Sequence, residues 1–97
     1  MKIKISREAQ KDLNNIWVYT KNKWSKIQAD RYYSLLIQEI DFISKNHLVG
    51  ESISEIRVDY RFTKVKSHLI FYRTPNKEII EIVRILHQRM DVKSRLK

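Results

Sequence analysis

The 97-residue sequence has no cysteine, one glycine and one proline. Without cysteine there is no disulfide framework, no thiolate nucleophile and no cysteine-based zinc site. With so little glycine and proline there is no room for a linker, a low-complexity segment or a glycine-rich phosphate loop. Long apolar runs are also missing. The longest are four residues, Ile16–Tyr19 and Leu69–Tyr72, far below the ~20 needed to span a bilayer. Met1 to Ser6 lacks the apolar stretch of a secretion signal. A soluble, cytoplasmic protein is therefore expected. Neither a Gly-x-Ser-x-Gly turn nor a His-Glu-x-x-His helix occurs, so the common hydrolase and metalloprotease arrangements are excluded.

What is present is a globular composition, 42% hydrophobic and 10% aromatic, with a net charge of +9. A chain of this size buries roughly two-thirds of its unfolded surface and folds as one domain, 1–97, without staples. The basic excess is scattered, not gathered in a tail. It favours an acidic partner or a nucleic-acid-associated target; part of it also serves as a solvated, solubilising surface.

Lys2–Ile5 alternates lysine and isoleucine and predicts a short strand. Ser6 suits an N-cap. Ala9, Leu13, Ile16, Trp17 and Thr20 then recur at helical spacing over Arg7–Lys23, with Trp24 joining them if the last turn stays helical and Tyr19 at the margin beside Asp12. After a turn at Asn22 to Ser25, a second helix is predicted from Lys26 to Asn46. Ala29, Tyr32, Tyr33, Leu36, Ile40 and Ile43 form its apolar face, widened by Leu35, Phe42 and Ile37. A connector, His47 to Ser54, contains Gly50. The apolar period then changes to two, which predicts strands at Glu55–Asp59, Tyr60–Lys66, Ser67–Arg73 and Glu78–His87.

Thr74-Pro75-Asn76-Lys77 is the clearest turn. If it closes a hairpin, Arg73 faces Glu78, Phe71 faces Ile80, Leu69 faces Ile82 and His68 faces Val83, with Arg73 and Arg84 at the margin of that apolar face. The expected fold is α+β, a two-helix hairpin packed on one face of a mostly antiparallel sheet, with the other sheet face open. In this register His47, His68 and His87 stay apart, so no metal site is expected; nor is a cofactor.

Several segments together resemble one family. Ala9, Asp12-Leu13, Ile16-Trp17, Tyr19, Trp24 and Gln28-Ala29-Asp30-Arg31-Tyr32 are similar to the helical hairpin of ParE toxins. Glu55-Ile56-Arg57, Tyr60-Arg61, Ser67–Arg73 and Arg84-Ile85-Leu86-His87-Gln88-Arg89-Met90-Asp91 resemble that family's sheet. The resemblance implies the RelE/ParE-like order β-α-α-β-β-β, an antitoxin encoded alongside (ParD-like or similar, and acidic), and DNA gyrase as the target of a non-enzymatic toxin that acts in plasmid stabilisation. The RelE branch of the same fold implies an alternative, a ribosome-dependent mRNA endonuclease. His68 stands where that branch commonly has arginine, and Val92–Lys97 holds no tyrosine; both weaken the alternative. His87 and Arg89 remain available for acid–base and charge-stabilising work.

A stand-alone DNA-binding module has only charge in its favour, because the second helix is too apolar to be a recognition helix. Direct DNA binding is not expected without the antitoxin. Target contact is expected from Arg84, His87, Arg89 and Met90, which combine charge-assisted donors with an adaptable apolar side chain. Antitoxin contact is expected from Trp24, Tyr33, Leu35 and Phe42, on the broad sector of the second helix and at its start.

Overall fold

A computed structural model describes residues 1–96. Its order is β1 (Lys2–Ile5), α1 (Arg7–Lys23), α2 (Lys26–Lys45), β2 (Glu51–Ser52), β3 (Tyr60–Val65), β4 (His68–Arg73), β5 (Ile79–His87) and α3 (Val92–Arg95). The strands form one sheet, β1-β5-β4-β3-β2, antiparallel except for the parallel pair β1 and β5. The α+β expectation holds, with a two-residue strand β2 and the single-turn helix α3 added to it.

Both long helices are punctuated by serine. Ser6 Oγ accepts from Ala9 N and Ser25 Oγ accepts from Gln28 N, so each satisfies an orphan donor of a first turn. Only Trp24 and Ser25 separate the helices. Trp24 caps α1, its N–H donating to the Thr20 carbonyl, and its side chain is exposed instead of joining the stripe. Ala9 and Leu13 of α1, with Leu36, Ile40 and Ile43 of α2, pack on Ile70, Tyr72, Ile80, Ile82 and Ile85 of the sheet.

The predicted β4–β5 register is wrong by three residues at its start. Arg73 pairs with Glu81, not Glu78, and Tyr72 with Ile82. The turn is longer than the four residues assumed because Asn76 Oδ1 accepts from both Glu78 N and Ile79 N. Ile79 and Ile80 then pair with β1. The cross-strand ion pair survives with a different acid: Arg73 Nε lies 2.6 Å from Glu81 Oε1.

A bulge follows. Tyr72 pairs with Ile82 but Phe71 pairs with Arg84, which leaves Val83 as the extra residue on β5. Beside the bulge, polar groups of β5 beyond the end of β1 are taken up by Ser6 and Asp12 at the start of α1. Ser6 Oγ donates to the Val83 carbonyl at 2.8 Å, and the Asp12 carboxylate accepts from Ile85 N at 2.9 Å. Beyond the bulge Leu69 pairs with Leu86 and His68 with His87, so His68 does not face Val83.

The second sheet face is not open. Ile53, Tyr60, Phe71, Leu86 and Leu96 are buried there, flanked by Ile56, Leu69 and Val92. Leu69 and Phe71 thus sit in a different cluster from Ile80 and Ile82, contrary to the single face expected. Glu55–Asp59 is not a strand. Ile56 N and Arg57 N both donate to the Ile53 carbonyl, Tyr60 N donates to the Arg57 carbonyl, and Asp59 has φ 65°. Val58 is exposed.

Gly50 fits one tight place. Its N–H donates to Tyr72 Oη at 2.9 Å, and the Tyr72 hydroxyl donates to the His47 carbonyl at 2.7 Å. At the other end of β4, the two-residue turn after β3 holds Lys66 at φ 52°, a left-handed conformation that costs a non-glycine residue about 1–2 kcal/mol.

Candidate functional site

The register that sequence reading missed is what builds the site. Pairing His68 with His87 brings the start of β4 and the end of β5 beside the helical hairpin. Between them lies a groove of about 910 Å³. Its helical wall comes from Ile16, Tyr19 and Thr20 of α1, from Trp24 at the junction, and from Arg31, Tyr32 and Leu35 of α2. Its sheet wall is Lys66, Ser67, His68, His87 and Met90.

Tyr32 joins the two walls. Its Oη lies 3.1 Å from the Val65 carbonyl and 2.6 Å from His68 Nδ1. With the hydroxyl donating to the carbonyl, His68 Nδ1–H donates to Tyr32 Oη and the ring stays neutral. The rings of Tyr32 and His68 lie 5.4 Å apart, and His87 meets His68 edge-on at 5.2 Å. His87 is oriented by the chain that follows it: its Nδ1 accepts from Arg89 N at 3.1 Å, and its carbonyl accepts from Met90 N. A neutral His87 therefore carries its proton on Nε2.

Burial first, and then the neighbouring His87, push the His68 pKa down to about 4 from 6.5, with Asp12 opposing. The folded value lies below the unfolded one, so on acidification the unfolded chain takes up the proton first. Stability is expected to fall as pH drops from 6.5 toward 4 and to gain no further slope from this group below that. The ring is partly exposed, so the loss is about 2 kcal/mol, less than the full shift would give. Urea melts at a series of pH values should show this slope, and His68→Gln should flatten it; an unchanged slope in the variant would assign it to other groups.

The structure sorts the predicted contact residues in a way the sequence did not. Trp24 and Leu35, expected to meet an antitoxin, line the same groove as His87 and Met90, expected to meet a target. Phe42, 47% exposed, lies two helical turns beyond Leu35 on the same flank of α2. Tyr33 lies on the opposite flank, where it borders a second depression with Trp17, Val18 and Asp30.

Arg89 is exposed. Arg84 is not: its Nε and Nη2 meet the Asp12 carboxylate at 2.9 and 3.0 Å, with the two side chains 17% and 13% exposed. That ion pair raises the Arg84 pKa. Tyr32, His68 and Lys66 were missed as site residues. Tyr32 belonged to the hairpin pattern, but only the true strand register places the other two beside it.

Among the described residues no helix is long and apolar enough to cross a membrane, and no group of three or more metal-ligating side chains occurs. A family model described as "ParE toxin of type II toxin-antitoxin system, parDE" matches residues 3–92. The chain is 41% identical over 88 residues to Toxin ParE1 of Mycobacterium tuberculosis, covering 91% of this chain and 90% of that protein. It is 34% identical over 93 residues to Toxin ParE1 of Caulobacter vibrioides, covering 96% and 95%. Among solved structures, the chromosomal ParDE toxin–antitoxin system from P. aeruginosa superposes with a TM-score of 0.78 over 90% of this chain and 95% of that one, at 18% identity; this likeness shows the fold. The family match and the relatives together place the chain in the ParE toxin family of type II toxin–antitoxin systems.

Proposed function

We propose that this toxin acts in the cytoplasm by binding DNA gyrase and disabling it without chemistry of its own, and that a cognate acidic antitoxin, ParD-like or similar, silences it by covering the same groove. The observation that carries this reading is the convergence of His87 and Met90 with Trp24 and Leu35 on one concave surface. A partner seated on Trp24 and Leu35 would exclude anything that needs His87 and Met90. The net charge of +9 favours an acidic segment, and the exposed apolar flank from Leu35 to Phe42 suits one that orders on contact. Reaching Tyr33 requires that segment to wrap the hairpin. Arg89, next in the chain to Met90, adds an exposed guanidinium, whereas Arg84 contributes by holding β5 in place.

The arrangement favouring the alternative, a ribosome-dependent mRNA endonuclease, is the Tyr32–His68–His87 cluster. One experiment separates the two. Purified toxin is added to gyrase, scoring supercoiling and trapped cleavage complexes, and in parallel to translating ribosomes, scoring mRNA cleavage. The expected result is gyrase inhibition that antitoxin reverses, lost in His87→Ala/Met90→Ala while that variant keeps its thermal midpoint. Loss of the midpoint in that pair would be resolved with His87→Gln. A fully inhibitory, folded variant would move the working surface elsewhere, and mRNA cleavage without gyrase inhibition would overturn the proposal.

A further inference from the structure

The groove has a one-sided charge pattern. Its fifteen lining residues include Lys23, Arg31 and Lys66 and no carboxylate. Neither Arg31 nor Lys66 is ion-paired among the described residues. Lys23 Nζ lies over one face of each of two rings, 5.6 Å from the Tyr19 centroid and 5.9 Å from that of Trp24, and donates to the Tyr19 hydroxyl at 3.2 Å, which leaves the opposite ring faces to a ligand. Tyr19 and Trp24 are 63% and 69% exposed as residues, so they gain little from the core and offer aromatic surface to a ligand. Lys66 keeps its cation at the groove despite a left-handed backbone that asparagine or glycine would adopt with less strain.

The histidines add a complementary pair. When the Tyr32 hydroxyl donates to the Val65 carbonyl, His68 Nδ1–H donates to Tyr32 and the neutral ring keeps Nε2 as an acceptor; His87, whose Nδ1 accepts from Arg89 N, keeps Nε2–H as a donor in its neutral form.

We propose that the groove is a binding site for a nucleoside phosphate. The base stacks on Tyr19 and Trp24, as bases do on exposed aromatic side chains. Arg31 and Lys66 hold the phosphate through charge-assisted hydrogen bonds. The His68 acceptor and His87 donor suit the adjacent N–H and carbonyl of a thymine-like edge. A volume of about 910 Å³ accommodates a nucleotide, falling among small-molecule sites of roughly 300–1,000 Å³. A free nucleotide and an unpaired position in a strand offer the same chemistry; a base-paired duplex hides its base faces. The site deepens the proposed target surface, resting on that reading only for its biological consequence.

The test uses isolated toxin, so its outcome is independent of gyrase and antitoxin. In a Trp17→Phe background Trp24 is the only indole, and its fluorescence is followed while thymidine 5′-monophosphate, a thymidylate hexamer or inorganic phosphate is added. Saturable quenching by the monophosphate at sub-millimolar concentration, with none by inorganic phosphate, is the expected result. Hexamer binding at least about tenfold tighter would identify a strand as the source, and equal binding a free nucleotide. Arg31→Gln/Lys66→Asn should weaken monophosphate binding at least about fivefold with a thermal midpoint no lower than the parent's, asparagine relieving the strain at position 66; if that pair does not fold, Lys66→Asn alone is read by the same criterion. Absence of saturable quenching, equal quenching by phosphate, or a smaller effect of the variants would overturn the proposal.

Discussion

Asp12→Ala should unfold at least about 12 °C below the parent, from a loss of roughly 3–5 kcal/mol. The carboxylate takes three donors at once, Arg84 Nε, Arg84 Nη2 and Ile85 N, all within 3.0 Å. Two of these belong to a guanidinium that is 17% exposed, and the third is a backbone N–H of β5 beyond the end of its pairing with β1. Alanine strands both a shielded cation and a shielded donor, and the cost of removing one partner of such a pair exceeds the net worth of the pair. Asp12→Asn should recover part of the loss by keeping an acceptor for Ile85 N. Arg84→Ala should also destabilise, because it leaves the same carboxylate half satisfied; a loss of toxicity in that variant is therefore interpretable only with its melting curve beside it. A midpoint within about 4 °C of the parent for Asp12→Ala would mean that water replaces the carboxylate and that the bulge holds itself.

Gly50→Ala should cost about 3 kcal/mol or more, although its backbone is not in the left-handed region. An added Cβ would overlap Tyr72 Oη and come within 2.8 Å of Tyr72 Cε1 and 2.9 Å of the Phe62 carbonyl. Neither neighbour yields easily. Tyr72 is 1% exposed and anchored by its bonds to Gly50 N and the His47 carbonyl; the Phe62 carbonyl belongs to β3. Tyr72→Phe removes the hydroxyl without crowding and should cost about 1–3 kcal/mol, the penalty for a buried donor and acceptor left unpaired. Urea denaturation of both variants checks the order. A Gly50→Ala chain as stable as the parent would show that the connector shifts to make room.

The helices were legible because their signals are local. Ser6 and Ser25 mark starts, and the spacing of Ala9, Leu13, Leu36, Ile40 and Ile43 marks the buried faces, all within a few turns of chain. The strands were legible as strands, but their partners were not. Arg73–Glu78 and Arg73–Glu81 are equally good charge pairs on paper. The choice depends on an Asn76 side chain that lengthens the turn and on β1, seventy or more residues away, claiming Ile79 and Ile80. The bulge compounds the difficulty, since its stabilising groups, Ser6 and Asp12, lie on another element. Side-chain type alone also does not say where candidate site residues end up. His87 and Met90 line the groove, Arg84 is committed to Asp12, and His68, expected opposite Val83, sits beside His87.

The parallel pairing of β1 with β5 also sets a timetable. Lys2 meets Ile79, and at ~5–20 residues per second of synthesis that partner emerges on the order of 4–15 s later. Until then β1 has no neighbour, Asp12 has no guanidinium, and the sheet wall ending in His87 and Met90 does not exist. The helical hairpin, whose contacts are close in sequence, has been synthesised in full long before, with its sheet-facing side still uncovered. A partner that docks on Trp24 and Leu35 can thus arrive while the chain is still being made, and the working end of the groove would then be assembled already under cover.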